Sequence, residues 1–319
     1  MAGEFELIAR HFDWPAPFGV LGVGDDCALL TVRPGHRLAT TTDLLVEGCH
    51  FFPDVDPGSL GHKSLAVNVS DLAAMGARPI GCLLGLSLPS VNDAWLQAFA
   101  RGFRELADAV GCPLVGGDTT RSQRDIVISV TAMGEVAAGA ALTRSAARPG
   151  DLIWVTGTLG GPHVALELLR GHHPDHGDLL ETLRPLLERP QPPVAFGAAL
   201  GGLAHAAIDI SDGLLQDLGH ILKASQCAAQ LDYPRLPIHP ALSGLAAALV
   251  QRSVLSGGDV YQLCFTAPPA AAANIEELAA VHGIRATVVG HVLPGEGVRV
   301  SGAPMPLRSA DYSGFDHFG

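Results

Sequence analysis

Gly22-Val23-Gly24-Asp25-Asp26-Cys27-Ala28-Leu29-Leu30 is the stretch whose reading decides the fold. Its glycine spacing opens like the G-x-G-x-x-G loop of a dinucleotide-binding domain. Cys27 stands where the third glycine belongs, and the apolar run from Cys27 to Leu30 reads as a strand where that loop must enter a helix. Both departures exclude the dinucleotide-binding fold. What remains is a glycine turn that delivers two carboxylates into a strand. Neighbouring strand residues point to opposite faces, so Asp25 and Asp26 have different tasks. An inward carboxylate needs a cation or several donors. Asp26 is the candidate for that role, and Asp25 reads as structural.

Outward from this stretch, a turn at Arg33-Pro34-Gly35-His36 leads to a second strand, Leu38 to Val46, which predicts a hairpin. Helical spacing marks Glu4 to Phe12 and Gly58 to Met75, the latter closed by Gly76. Asn68 and Asp71 share one face of the second helix. Pro79 to Leu88 reads as a buried strand. Asn92 to Val110 is the clearest amphipathic helix, with Asn92 as N-cap, Trp95, Phe99, Phe103, Leu106 and Val110 as its apolar stripe, and Gly111 as its end. Asp125 to Val136 alternates like a strand. The order α-β-β-α-β-α-β-β predicts a layered α+β sheet with helices on one face, spanning residues 1–140.

Residues 141–319 alternate strands and helices and read as an α/β domain. The elements placed there include helices from Pro162 to Leu169, Val194 to Leu203, Asp212 to Ser225, Ala241 to Val250 and Ala271 to His282. A turn at Ser256-Gly257-Gly258-Asp259 enters a strand from Val260 to Phe265. A length of 319 residues fits two domains as a soft prior.

Composition narrows function. A net charge of −12 and 5% aromatic residues argue against broad nucleic-acid binding and against stacking platforms for bases. No apolar run approaches the roughly 20 residues of a membrane span, and the first residues lack a signal peptide's basic flank and apolar core. The six cysteines contain no C-x-x-C pair, which predicts reduced thiols in the cytoplasm.

Acidic residues recur at glycine turns and strand ends: Asp25-Asp26, Asp43, Asp71, Asp118, Asp209 and Asp212. Each alone is ordinary turn chemistry, and Asp212 alone is a helix cap. As a set beside apolar strands, they require cations wherever they converge. Oxygen-rich sites suit Mg²⁺, which pairs one or two carboxylates with phosphate oxygens and water. No P-loop, protein-kinase loop, nucleophile elbow or H-E-x-x-H motif is present. The histidines at 172, 173 and 176 read as an exposed loop. Arg144 is either a solvated arginine or a phosphate clamp.

Taken together, several stretches resemble the thiamine-monophosphate kinases of the AIR-synthetase-like ATP-binding superfamily. They are Gly22–Ala28, Thr41–Phe51, Lys63–Gly76, Gly116–Arg121, Leu142–Arg144, Ala207–Leu214 and Gly314–Phe318. They follow the family's order across nearly the whole chain. The resemblance implies a two-domain fold, with an N-terminal sheet domain that pairs in a homodimer and a separate C-terminal domain. It implies direct transfer of the ATP γ-phosphoryl to thiamine monophosphate, with no phosphoenzyme and no general base. It matches Asp26, Thr41, Thr42, Asp43, Asp71, Asp118, Asp209 and Asp212 to Mg²⁺ positions. Gly117, Asp118, Arg144 and Ser211 match ATP contacts, and His50, Asp259 and Phe315 match contacts to thiamine monophosphate.

One departure bears on the substrate side. The family's Ser-Gly-Gly-Glu-Asp-Tyr-Glu-Leu is here Ser256-Gly257-Gly258-Asp259-Val260-Tyr261-Gln262-Leu263. Two alternatives remain open: another ATP-dependent kinase or synthetase of the superfamily, or a non-catalytic nucleotide or metal sensor.

Overall fold

The structure, a computed structural model, describes residues 4–308 and Gly314. Two compact units divide it. The first holds the described residues up to Leu72 together with Ala77–Gly139; the second holds Ala73–Gly76 and the described residues from Ala140 onward. Phe315, expected to contact the acceptor, lies outside the described residues.

The first unit runs α1 (Glu4–His11), β1 (His36–Val46), α2 (Pro57–Ala74), β2 (Arg78–Leu88), α3 (Asp93–Val110), β3 (Leu114–Arg121) and β4 (Val127–Ala137). Its sheet order is β1-β4-β2-β3, with only β2 and β3 parallel. One sheet face is closed by apolar side chains such as Cys82, Leu84, Leu86, Ile128, Val130 and Ala132, all buried. The alternate residues are half-buried or exposed, as one-sided coverage by helices requires.

The expected hairpin is not formed. Residues 22–30 make only isolated bridges, Leu21 with Leu29 and Val23 with Asp25. β1 instead pairs with β4 along its whole length. A strand needs both a ladder and a buried face. Cys27 and Leu29 are exposed and Ala28 and Leu30 only half-buried, so the 22–30 stretch has neither a ladder nor a fully buried face.

α3 forms as its sequence dictates. The Asn92 side chain accepts the Trp95 N–H at 3.1 Å, and Gly111 ends the helix with φ +66. Its buried stripe meets α2 at unusually close range. A Cβ added to Gly102 would lie 1.9 Å from the Gly58 carbonyl oxygen, and one on Gly61 would lie 2.0 Å from that of Phe99. Glu135, fully buried, fixes the chain leading into β1. Its carboxylate accepts from the Arg33 backbone N–H at 2.9 Å and from the Arg33 and Arg78 guanidinium groups. Burial alone would raise its pKa, but the Arg33 amide and the two guanidinium groups outweigh burial and hold it at about 2.

The second unit runs β5 (Leu152–Thr156), α4 (Gly161–Leu169), α5 (Leu180–Glu188), α6 (Val194–Ala199), β6 (Ala206–Asp209) and α7 (Leu214–Ser225). β7 (Cys227–Asp232), α8 (Ala247–Leu255), β8 (Leu263–Ala267), α9 (Ala272–Val281), β9 (Ala286–Pro294) and β10 (Gly297–Ser301) follow. The sheet order is β10-β7-β9-β5-β8-β6. Only β10 and β7 are parallel; the other pairings are antiparallel. α7 packs on this sheet through Leu214, Leu218 and Ile221 against Ile153, Ile208 and Val289.

Three local differences from the sequence reading have physical causes. α5 was masked by Pro185 inside it. The helix read from Ala241 starts only at Ala247, after a 3₁₀ turn at Pro240–Leu242 and Gly244 at φ +90. The strand read from Val260 starts at Leu263, because Asp259 and Tyr261 take φ +60 and +50.

The α2–α3 contact leaves no room for a methyl group. Gly102→Ala should cost about 3 kcal/mol of unfolding free energy, read as a lower urea midpoint against the unchanged chain.

Candidate active site

The predicted site residues fall into separate places. In the first unit, strand alternation turns Thr41 and Asp43 of β1 toward α2. Thr41 Oγ1 donates to Asp71 Oδ2, and the Asp43 backbone N–H donates to Asn68 Oδ1 at 3.0 Å. Asn68, itself fully buried, is braced by a bond from Nδ2 to the Ser64 carbonyl at 3.1 Å. The i, i+3 spacing of Asn68 and Asp71 thus sets two carboxylates, Asp43 and Asp71, side by side. Burial and the neighbouring Asp71 charge push the Asp43 carboxyl up to about 6.

Thr42 and Asp118 are not part of this pair. Thr42 stands on the opposite sheet face, where Thr131 Oγ1 donates to its hydroxyl at 3.1 Å. Asp118 lies in register with Gly85, which pairs with Ser129, which pairs with Leu44. It therefore shares the face of Leu44 and Thr42, three strand spacings (about 14 Å) from β1. Gly117 is required there by the close approach of β2: a Cβ would lie 1.9 Å from the Leu84 carbonyl oxygen. Asp25 and Asp26 are both exposed and lie in no strand, so the opposite-face argument does not apply to them.

His50 closes the tight turn after β1. The Val46 backbone N–H donates to its Nδ1 at 3.0 Å, which fixes the ring proton on Nε2 when the ring is neutral.

In the second unit, Asp209 ends β6, buried, and the turn Ser211-Asp212-Gly213 leads into α7. Taken alone, Asp212 reads as a helix cap, and the resemblance makes it a Mg²⁺ position. The structure gives the capping to Asp217, a residue that the sequence reading did not single out. Its Oδ2 accepts the backbone N–H groups of Ser211, Asp212 and Gly213 at 3.1, 3.1 and 3.0 Å. Burial and the Asp212 charge raise its pKa to about 7, against the pull of those amides. An Asp within the first turn after a glycine was the signal available in the sequence.

The Asp259 loop packs on this turn. The Asp259 N–H donates to the Ser211 carbonyl at 2.8 Å, and a Cβ on Gly258 would lie 2.3 Å from the same oxygen. The departure from the family pattern is absorbed locally. Val260 is buried in the apolar core. Gln262 accepts from Thr156 Oγ1 and donates to the Gln191 carbonyl, each at 2.8 Å, and the second bond needs an amide rather than a carboxylate. Gly314 lies against the same turn: its N–H donates to Gln216 Oε1 at 2.6 Å, while Gln216 Nε2 donates to Asp212 Oδ2 at 3.3 Å. Arg144 is exposed, and its carbonyl is held by Ser225 Oγ at 2.7 Å, at the opposite end of α7 from Ser211.

Among the described residues, no three His, Cys, Asp or Glu side chains gather as a metal site. The carboxylates come in pairs. A pair of carboxylates with hydroxyl oxygen nearby, its protonation favoured by burial and repulsion, is the donor set that suits Mg²⁺ completed by phosphate oxygens and water.

The architecture is that of an AIR synthase related protein. Residues 24–136 match the N-terminal domain model of that family and residues 148–302 its C-terminal domain model. The chain is 43% identical to the thiamine-monophosphate kinase of Escherichia coli K12, over 99% of this chain and 98% of that one. A crystal structure of thiamine-monophosphate kinase from Stenotrophomonas maltophilia K279a superposes with a TM-score of 0.83 at 43% identity, covering 94% of this chain and 95% of that one. AaThiL complexed with AMPPCP and TMP superposes with a TM-score of 0.76 at 31% identity, covering 91% and 90%. The chain belongs to the thiamine-monophosphate kinase family of phosphotransferases.

The geometry predicts a cost in the absence of metal. Asp43 has a folded-state pKa above its unfolded value, so it stabilises the folded chain at low pH, and this is lost as pH rises from about 4 through about 6. Asp43→Asn should therefore melt higher than the unchanged chain at pH 8 in EDTA. Scans at falling pH should show the difference shrinking toward pH 4.

Proposed function

We propose that this chain transfers the γ-phosphoryl group of ATP to thiamine monophosphate, giving ADP and thiamine diphosphate. The observation that carries the reading is the Asp43–Asp71 pair, held in place by Asn68 and Thr41 at elevated proton affinity. Such a pair calls for positive charge and supplies only oxygen donors.

Mg²⁺, when bound, neutralises phosphate charge and aligns the two anionic substrates. In this reading Thr41, Asp43 and Asp71 hold one part of the cation set and Asp209 and Asp212 another. Asp26, Thr42 and Asp118 complete it. Gly117, Asp118, Arg144 and Ser211 contact ATP, and His50, Asp259 and Phe315 contact thiamine monophosphate. The acceptor phosphate is already ionised near neutral pH, so the chain needs no general base, and in-line positioning with charge compensation carries the rate. The reading includes a homodimer and a cytoplasmic location.

The direct test is a product assay with ATP, Mg²⁺ and several phosphate acceptors in parallel. Thiamine diphosphate and ADP should form in equal amounts. Turnover of other acceptors without thiamine diphosphate would show that the acceptor is misassigned. Asp71→Asn should lower kcat by about a thousandfold or more with unchanged circular dichroism, and near-normal turnover would remove the paired-carboxylate site from the mechanism.

A further inference from the structure

Asp217 is 2% exposed and lies in the first turn of α7. Three consecutive backbone N–H groups, those of residues 211, 212 and 213, converge on its single oxygen Oδ2 within 3.1 Å. Amides converging in this way at a helix start are what nucleotide-binding loops use to hold a phosphate. Here the chain's own carboxylate occupies them. The turn is also fixed from its other side. Gly213 takes φ +131, where a Cβ would lie 2.7 Å from the Ser256 backbone. The Ser211 carbonyl is held by the Asp259 amide at 2.8 Å. With its amides facing Asp217 and a carbonyl facing Asp259, this turn meets a ligand through the side chains of Ser211 and Asp212.

We infer that Asp217 is a positioning residue for nucleotide binding: an internal carboxyl oxygen that takes the place of a phosphate at the start of α7, sets the directions of Ser211 and Asp212, and leaves cations and side chains as this loop's route to the triphosphate. The inference rests on the nucleotide-binding reading of Ser211 and Asp212. It differs from simple helix capping, because the loop's ligand affinity, and not only the helix, depends on the carboxylate.

The test is calorimetric binding of AMPPCP with Mg²⁺, and separately of thiamine monophosphate, to the full chain and to Asp217→Ala and Asp217→Asn. Asp217→Ala should bind AMPPCP about tenfold to a hundredfold more weakly, having lost the acceptor of three backbone bonds, with thiamine monophosphate affinity within about twofold. Asp217→Asn presents a neutral oxygen to the same amides and should fall between, about threefold weaker than the unchanged chain. Unchanged AMPPCP affinity in Asp217→Ala overturns the inference, and so does equal weakening for both ligands, which marks general loosening. If Asp217→Ala does not fold, Asp217→Asn decides. Weaker AMPPCP binding at an unchanged melting temperature supports the positioning role; unchanged binding overturns it. An unchanged chain that binds AMPPCP but not thiamine monophosphate would refute the acceptor assignment alone, and the AMPPCP comparison would still decide Asp217.

Discussion

Like charges held close together in a half-buried place set the terms for this molecule. Asp43 and Asp71 face one another where β1 meets α2, and the surroundings raise the cost of ionising Asp43. Folding alone does not favour that arrangement. It persists because Asn68 anchors the Asp43 backbone and Thr41 engages Asp71, so the rest of the unit determines where these carboxylates stand. The same theme recurs in the second unit, where Asp217 is kept close to Asp212 by three backbone amides.

The scaffold around these pairs is correspondingly tight. α2 and α3 approach at glycines, which lets α2 lie buried and carry Asn68 and Asp71 to β1. Glu135 joins Arg33 to Arg78 and fixes the chain just before β1. In the second unit, the glycines at 213 and 258 allow the Ser256–Asp259 loop to press onto the Ser211–Gly213 turn. Here conformational freedom in the chain is converted into rigidity at the site.

Much of this was legible in the sequence, and the failures are informative. α3 was readable because its cap, its apolar stripe and its terminal glycine all agree. Asn68 and Asp71 were readable as one face because helical spacing is local. The 22–30 stretch was misread because its composition suits a strand, while whether a strand forms depends on a partner the sequence does not specify locally. Local alternation separates Thr42 from Thr41 and Asp43, but the placing of Asp118 on the face of Thr42 depends on strand order and register, which emerge only in three dimensions. Asp217 carried only a weak mark, an acidic residue in the first helical turn after a glycine, because its partners are backbone amides that the sequence does not single out.

The central claim is that the Asp43–Asp71 pair awaits a cation. Its most direct test is the number of protons released when Mg²⁺ and AMPPCP bind at pH 6, from calorimetry in buffers of different ionisation enthalpy. With the Asp43 carboxyl at about 6, roughly half a proton per chain should be released beyond that from an Asp43→Asn variant. Equal proton release from the two proteins would contradict the claim.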